Sequence, residues 1–387
     1  MNSINLIKVG FYRPFYLSVL LLIFFSSCSS EVEQRERRYD YYPSKTTINY
    51  AKGFKVSYHS SYKIVDVFKD LDSTQIVQRY FLVEQGTKAP EMKEKDQMIR
   101  VPLASAACLS TTQVAYLSEL KMVDKISGVG HASSIRDSII SKQIEKGWTL
   151  EITRSGQLDI ELLLQANTTL LMANSFDQMA VSSLLELDIP VIYSSEYLEN
   201  DVLARAEWIK FFALFFNAEK RATIIFDTIE QEYLATKNAI EEIEDFPVVM
   251  FGSYYQGTWY VPGGESLISG LFNDAGAKYS FSESKVRSNI HIDSESLIEK
   301  MDQIDYWGMI LAKKSNINED DFLAGDARMQ QLAKEENLIF FYSNTSENDY
   351  FGKANLEPHI ILKDLGKIFH PKLFPQHQFV YFQPYNE

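Results

Sequence analysis

DVLARAEWIKFFALFFNAEKRATIIFDTIEQEYLATKNAIEEIE, residues 201–244, is the stretch whose reading decides the fold. It contains no glycine and no proline, and its helical pattern runs far past the usual helix of about 11–12 residues. Ala206, Ile209, Phe212, Ala213 and Phe216 fall on one helical face. After Asn217 that face continues through Phe226, Ile229, Tyr233, Ile240 and Ile243. The Phe-rich first half lacks the sustained heptad of a coiled coil. The pattern predicts a long packed helix over 201–245 with a break near Asn217.

Both flanks of this segment alternate strands with helices. Upstream, Val101–Ala104 leads to a helix near 110–121, Ile126–Gly130 closes on glycine, and Thr168–Ala173 reads as a buried strand. A helix near 178–187 then precedes Pro190–Tyr193. Downstream, Pro247–Gly252, Trp307–Ala312 and Asn337–Tyr342 are strand-like, with helical stretches at 265–275, 294–303, 326–335 and 355–370. Such alternation argues for parallel sheets flanked by helices. The expected fold class is α/β: two doubly wound lobes, residues 96–200 and 246–387, joined by the long helix. Residues 49–95 differ, with β-formers clustered at Phe54–Tyr58, Lys63–Val67 and Gln78–Val83, and read as a small antiparallel addition.

The first residues read as an address. Lys8 and Arg13 precede an apolar run over 15–25 broken only by Ser18, short for a membrane span and suited to a signal peptide over 1–27. The run ends in Phe25-Ser26-Ser27-Cys28, which resembles a bacterial lipobox and implies cleavage before Cys28 and lipidation of that residue. A non-cleaved anchor is the competing reading. Residues 28–48, polar and charged, read as a tether. Cys108 lies among Ala104, Ala106, Ala107 and Leu109 and reads as packing.

Composition narrows the function. The formal charge is −14, from 38 basic and 52 acidic residues. With no long basic stripe, the chain is a poor partner for nucleic acid. Two cysteines exclude a disulfide framework, and 25 Phe with 22 Tyr exclude a disordered chain. Neither a G-x-S-x-G elbow nor a P-loop, H-E-x-x-H or C-x-x-C occurs. Gly128-Val129-Gly130 lacks the third glycine of a dinucleotide fingerprint. The six histidines are scattered, so neither a metal site nor a cofactor is expected, and no catalytic residue is assigned.

Open α/β sheets bind ligands at strand C-termini, which singles out two residue sets. In the first lobe these are Ser105, His131, Asn174, Phe176 and Ser195. In the second they are Tyr254, Tyr255, Trp259 and Tyr260, then Tyr342 and Asn344, with Arg287 able to meet an anionic group. Four aromatics within seven positions before Pro262-Gly263-Gly264 suit a large flat or macrocyclic ligand; a plug between the lobes is the bland alternative. His131 alone is more often a satisfied turn histidine.

At this point the chain resembles the helical-backbone (class III) substrate-binding lipoproteins of bacterial ABC importers for iron-siderophore complexes, haem or cobalamin. The resemblance is carried by Leu120–Gly130, by Gly156-Gln157-Leu158-Asp159-Ile160-Glu161, by Leu187-Asp188-Ile189-Pro190-Val191 and by Gly263-Gly264-Glu265-Ser266 with Asp274-Ala275-Gly276-Ala277. It departs at Asn167-Thr168-Thr169, where the family favours Pro-Asp. It implies a ligand between the lobes, the ligand itself being an iron or cobalt complex. It also implies limited closure, a lipid anchor on the periplasmic side of the cell envelope, and a monomer. Docking on an inner-membrane permease would use one acid per lobe: Glu265 in the second, Asp177 or Glu186 in the first. The competing reading is a cell-envelope chelatase or reductase on the same scaffold, with His131 and a nearby carboxylate as its acid–base pair. A third is a scaffold that has lost its ligand.

Overall fold

The computed structural model describes residues 40–385 except 94, 178–183, 185–188, 324 and 325. Cys28, Glu186 and the helix expected near 178–187 lie outside the described residues. No helix among the described residues is long and apolar enough to cross a membrane.

Four strands form the N-terminal sheet: β1 (Phe54–Tyr58), β2 (Tyr62–Lys69), β3 (Asp72–Glu84) and β4 (Gln97–Val101), in that spatial order. The first three are antiparallel, as their alternation suggests, while β4 runs parallel to β3. The sheet therefore reaches past residue 95, because Ile99 and Val101 are buried in it with Arg100 between them. Pro102 then ends the ladder, having no N–H to donate.

One face of this sheet packs on the Phe-rich half of the linking segment. Phe54 lies 4.8 Å from Trp208 and 5.2 Å from Phe211, ring centre to ring centre. Tyr80 meets Phe215 edge-on. Each such fully buried aromatic contributes about 2–3 kcal/mol of hydrophobic stabilisation. The linking segment folds as Val202–Glu207, Ile209–Leu214 and the 23-residue spine Glu219–Glu241. The break falls at Asn217, whose φ is +52°, a left-handed value that Asn tolerates. Buried Lys63 from β2 caps the break, donating to the Leu214 carbonyl, to Asn217 Oδ1 and, at 2.7 Å, to Glu219.

The first-lobe sheet contains β5 (Ala106–Cys108), β6 (Ile126–Val129), β7 (Leu150–Glu151), β8 (Leu171–Asn174) and β9 (Val191–Ser194) in the order β9-β8-β5-β6-β7, all parallel. β5 and β8 are buried throughout, as strands of a sheet covered on both faces require. Burial also pushes the Cys108 thiol well above its ordinary range. Edge strand β9 would offer unpaired backbone groups, but the N-terminal sheet covers it. Tyr80 Oη accepts from the Tyr193 N–H at 2.9 Å. The Gln97 amide, turned to suit, pairs with both the N–H and the carbonyl of Val191.

The second lobe contains β10 (Val248–Phe251), β11 (Ser253–Tyr255), β12 (Thr258–Pro262), β13 (Lys278–Tyr279), β14 (Asn289–Ile292), β15 (Tyr306–Leu311), β16 (Ile339–Asn344) and β17 (Gln383–Pro384). The main sheet runs β13-β10-β15-β16-β17, parallel except for β17. Gly308 lets the Phe341 ring lie directly over β15, where a Cβ would stand 2.1 Å from that ring. The helix Pro358–Phe369 packs on the spine, and its buried Asp364 accepts the Tyr381 and Phe382 N–H groups, pinning the C-terminal segment.

The aromatic loop expected near 254–260 is instead a hairpin. β11 and β12 join through Gln256-Gly257, both at positive φ, the turn that matches strand twist. β14 adds a third antiparallel strand.

The interlobe cleft as candidate functional site

The C-terminal ends of both parallel sheets face one another. Loops following β5 and β6 meet loops following β15 and β16 around a cavity of about 380 Å³. Its lining is largely hydroxyl and amide: Ser110, Thr111, Ser133, Ser134, Thr345, Ser346 and Asn348, with His131, Arg136 and Asp349. The loop after β5 is fixed because Ser110 caps the helix Thr111–Glu119 in a reciprocal box with Gln113.

A second, more enclosed compartment of about 250 Å³ lies alongside. Glu196, Tyr197 and Arg205 line it from the first-lobe side, Leu267, Tyr350 and Asn355 from the second. Phe351, 62% exposed, lines both compartments. Its carbonyl accepts from Thr112 Oγ1 at 2.9 Å. Arg136 Nη2 donates to the Thr345 carbonyl at 3.2 Å, and Arg205 Nη1 approaches Asn355 Oδ1 at 3.5 Å. These contacts tie the lobes across the cleft.

Buried carboxylates hold the wall in place. Glu199 Oε1 accepts the N–H groups of Lys52 and Gly53 and the Trp208 indole N–H. Glu207 accepts the N–H groups of Asn49, Tyr50 and Ala51 and pairs with Lys210 at 2.8 Å. The strap before β1 is thus bolted to the segment carrying Glu196 and Arg205. Burial raises the pKa of Glu196, opposed by the Ser194 hydroxyl and by Arg205. Burial likewise raises Asp349, opposed by the Lys353 N–H and by Arg136. Arg205 Nη2 is occupied by the Tyr197 and Glu199 carbonyls. Glu196 Oε2 and Arg205 Nε have no partner among the described residues.

The expected ligand residues scatter around this cleft. His131 lines the open compartment. Phe176, 65% exposed, stands edge-on to Tyr197 at 5.2 Å, at the rim of the enclosed one. Asn174 ends β8, and its N–H donates to Asp177.

Ser105 is a correction: the strand begins after it, so it sits at the opposite sheet end, hydrogen-bonded to Asn167 and Thr169. Ser195 is buried against Gly53 and lines neither compartment. Trp259 is 1% exposed, packed on Trp307 at 5.3 Å in the second-lobe core. Strand alternation turns Tyr260 to the opposite face from Trp259, against His291. Tyr254 and Tyr255 are exposed on the hairpin and line neither compartment. Tyr342 bonds Gln383, and Asn344 is buried, fastening Lys313 and Ser346. Arg287 lies 3.9 Å from Glu265 and within reach of the Asn200 amide oxygen. Glu265 itself is exposed just before the helix Leu267–Asp274.

The sequence reading passed over Thr112, Arg136, Glu196, Tyr197, Arg205, Asp349 and Phe351. Ser110-x-x-Gln113 was the one local signal, since a capping box marks a helix start immediately after a strand.

Two α/β lobes, a helical spine and a cleft lined from both sides define a two-lobed binding protein. A family model described as periplasmic binding protein matches residues 107–341, and the chain belongs to that family. The match begins within β5, so the N-terminal sheet lies outside it. An uncharacterised lipoprotein of Methanocaldococcus jannaschii is 24% identical over 325 residues, covering 80% of this chain and 76% of the relative. Two solved structures share the fold. A possible iron-binding, periplasmic solute-binding protein from Staphylococcus epidermidis has a TM-score of 0.54 at 17% identity, over 70% of this chain and 99% of that one. A periplasmic heme binding protein from Pseudomonas aeruginosa has a TM-score of 0.52 at 13% identity, over 74% and 99%.

Proposed function

We propose that this periplasmic binding protein is a lipid-anchored, non-enzymatic receptor. It captures one metal complex per chain, an iron–siderophore, haem or cobalamin, and hands it to an ABC importer. The observation that carries the reading is the bipartite cleft, where strand ends of both lobes present hydroxyl, amide and aromatic groups to one volume. The iron-binding and heme-binding descriptions of the two structural relatives are consistent with it. The enzyme alternative needs an acid–base pair, and among the described residues no carboxylate is hydrogen-bonded to the His131 ring. In this reading Cys28 carries the lipid on the periplasmic side, the protein acts as a monomer, and Glu265 with Asp177 or Glu186 docks the permease.

The test is calorimetric titration of the mature chain with haemin, ferric siderophores and cobalamins, followed by recovery of the solute. One solute should bind saturably at one per chain and be recovered unchanged. Chemical conversion of the solute would favour the enzyme, and no binding by any of them would remove the metal-complex receptor.

A further inference from the structure

Among the described residues the two compartments are lined by two fixed cations, Arg136 and Arg205, and each shares its compartment with one carboxylate, Asp349 and Glu196 respectively. Arg136 and Asp349 both line the open compartment, and the arginine opposes the rise that burial gives the Asp349 carboxyl. Arg205 shares the enclosed compartment with Glu196, which is 3% exposed. Among the described residues no lysine lines either compartment. Transferring an anionic group from water into a cleft is costly unless uncompensated opposite charge meets it there, even where neutral donors are present. Here the charge of each arginine is partly offset by the carboxylate that shares its compartment.

What remains on offer is neutral hydrogen bonding: the hydroxyls of Ser110, Thr111, Ser133 and Thr345 and the amide of Asn348. Glu196 Oε2 and Arg205 Nε add one acceptor and one donor without partners. Both atoms are buried, and both residues line the enclosed compartment. An amide group returns that same pairing, donor to the carboxylate and acceptor to the guanidinium.

We infer that Asp349 and Glu196 set the charge selectivity of the cleft, admitting uncharged complexes with amide or hydroxamate arms and turning away polyanionic ones. This rests on the reading that the cleft binds a metal complex. Selectivity of this kind works against the wrong solute as much as for the right one.

The experiment titrates the full mature protein with four probes: ferrichrome and cyanocobalamin, with neutral arms, and ferric enterobactin and haemin, with anionic ones. Wild type should bind a neutral probe at least about tenfold tighter than either anionic one. Asp349→Asn and Glu196→Gln should each unmask one arginine and tighten the anionic probes by about tenfold. Asp124→Asn, which removes an exposed first-lobe carboxylate away from both compartments, should leave that ratio unchanged. Asp349 is only half-buried, so its Asn variant reports even if the Glu196 variant folds poorly. An anionic probe preferred by wild type, or Asp349→Asn without effect on the anionic probes, overturns the inference while leaving the receptor reading standing. Failure of all four probes with wild type brings down both.

Discussion

Trp259 stands where alternation along Thr258–Pro262 points inward, and that single parity sends its indole into the core. Composition could place an aromatic cluster here but could not say which rings face solvent, because a hairpin divides its side chains between two faces. Trp259→Ala should therefore cost about 3–5 kcal/mol in urea unfolding and leave solute affinity unchanged. Weakened binding by protein that is still folded would put the indole back in the cleft. Glu196 shows the reverse case, a residue that nothing in the sequence marked. Burial raises its pKa, so the folded state holds that proton more tightly than the unfolded chain. Its contribution favours folding at low pH and is lost as pH rises through the folded value. Glu196→Gln should match or exceed wild-type stability at neutral pH, with the gap closing below the ordinary glutamate range. Thermal melts from about pH 4 to 8 read this. A variant less stable than wild type at neutral pH would contradict it.

At the scale of elements, the helical spine was legible because its face persists across Asn217, and the break because Asn interrupts an apolar run. The start of the first lobe was not. Val101-Pro102-Leu103-Ala104 has strand composition, yet its first residue closes the N-terminal sheet and the lobe begins at Ala106. Pairing partners decided this, and these are remote in sequence. The same remoteness hid the role of residues 54–101, which cover the aromatic platform of the linking segment and the edge of β9. Tyr80→Phe removes the acceptor of the Tyr193 N–H and should cost about 1–3 kcal/mol, with faster hydrogen exchange at Tyr193. Unchanged protection there would mean that the N-terminal sheet does not seal that edge.

At the scale of the whole molecule, the lobes meet through loops rather than regular elements. The general rule that ligands sit at strand C-termini pointed to the cleft between the lobes. It could not choose the residues, because Thr112, Arg136, Tyr197 and Phe351 come together only when two separate sheets are set face to face. His131 was found because it directly follows a strand closing on glycine. Contacts already cross the cleft, from Thr112 to Phe351 and from Arg136 to Thr345. Hydrogen–deuterium exchange on the protein saturated with the solute that titrates tests the central claim most directly. Protection should concentrate in the loops at 109–112, 131–136, 196–205 and 345–355, on both lobes at once. Protection confined to one lobe, or centred on the exposed hairpin at Tyr254 and Tyr255, would contradict binding between the lobes.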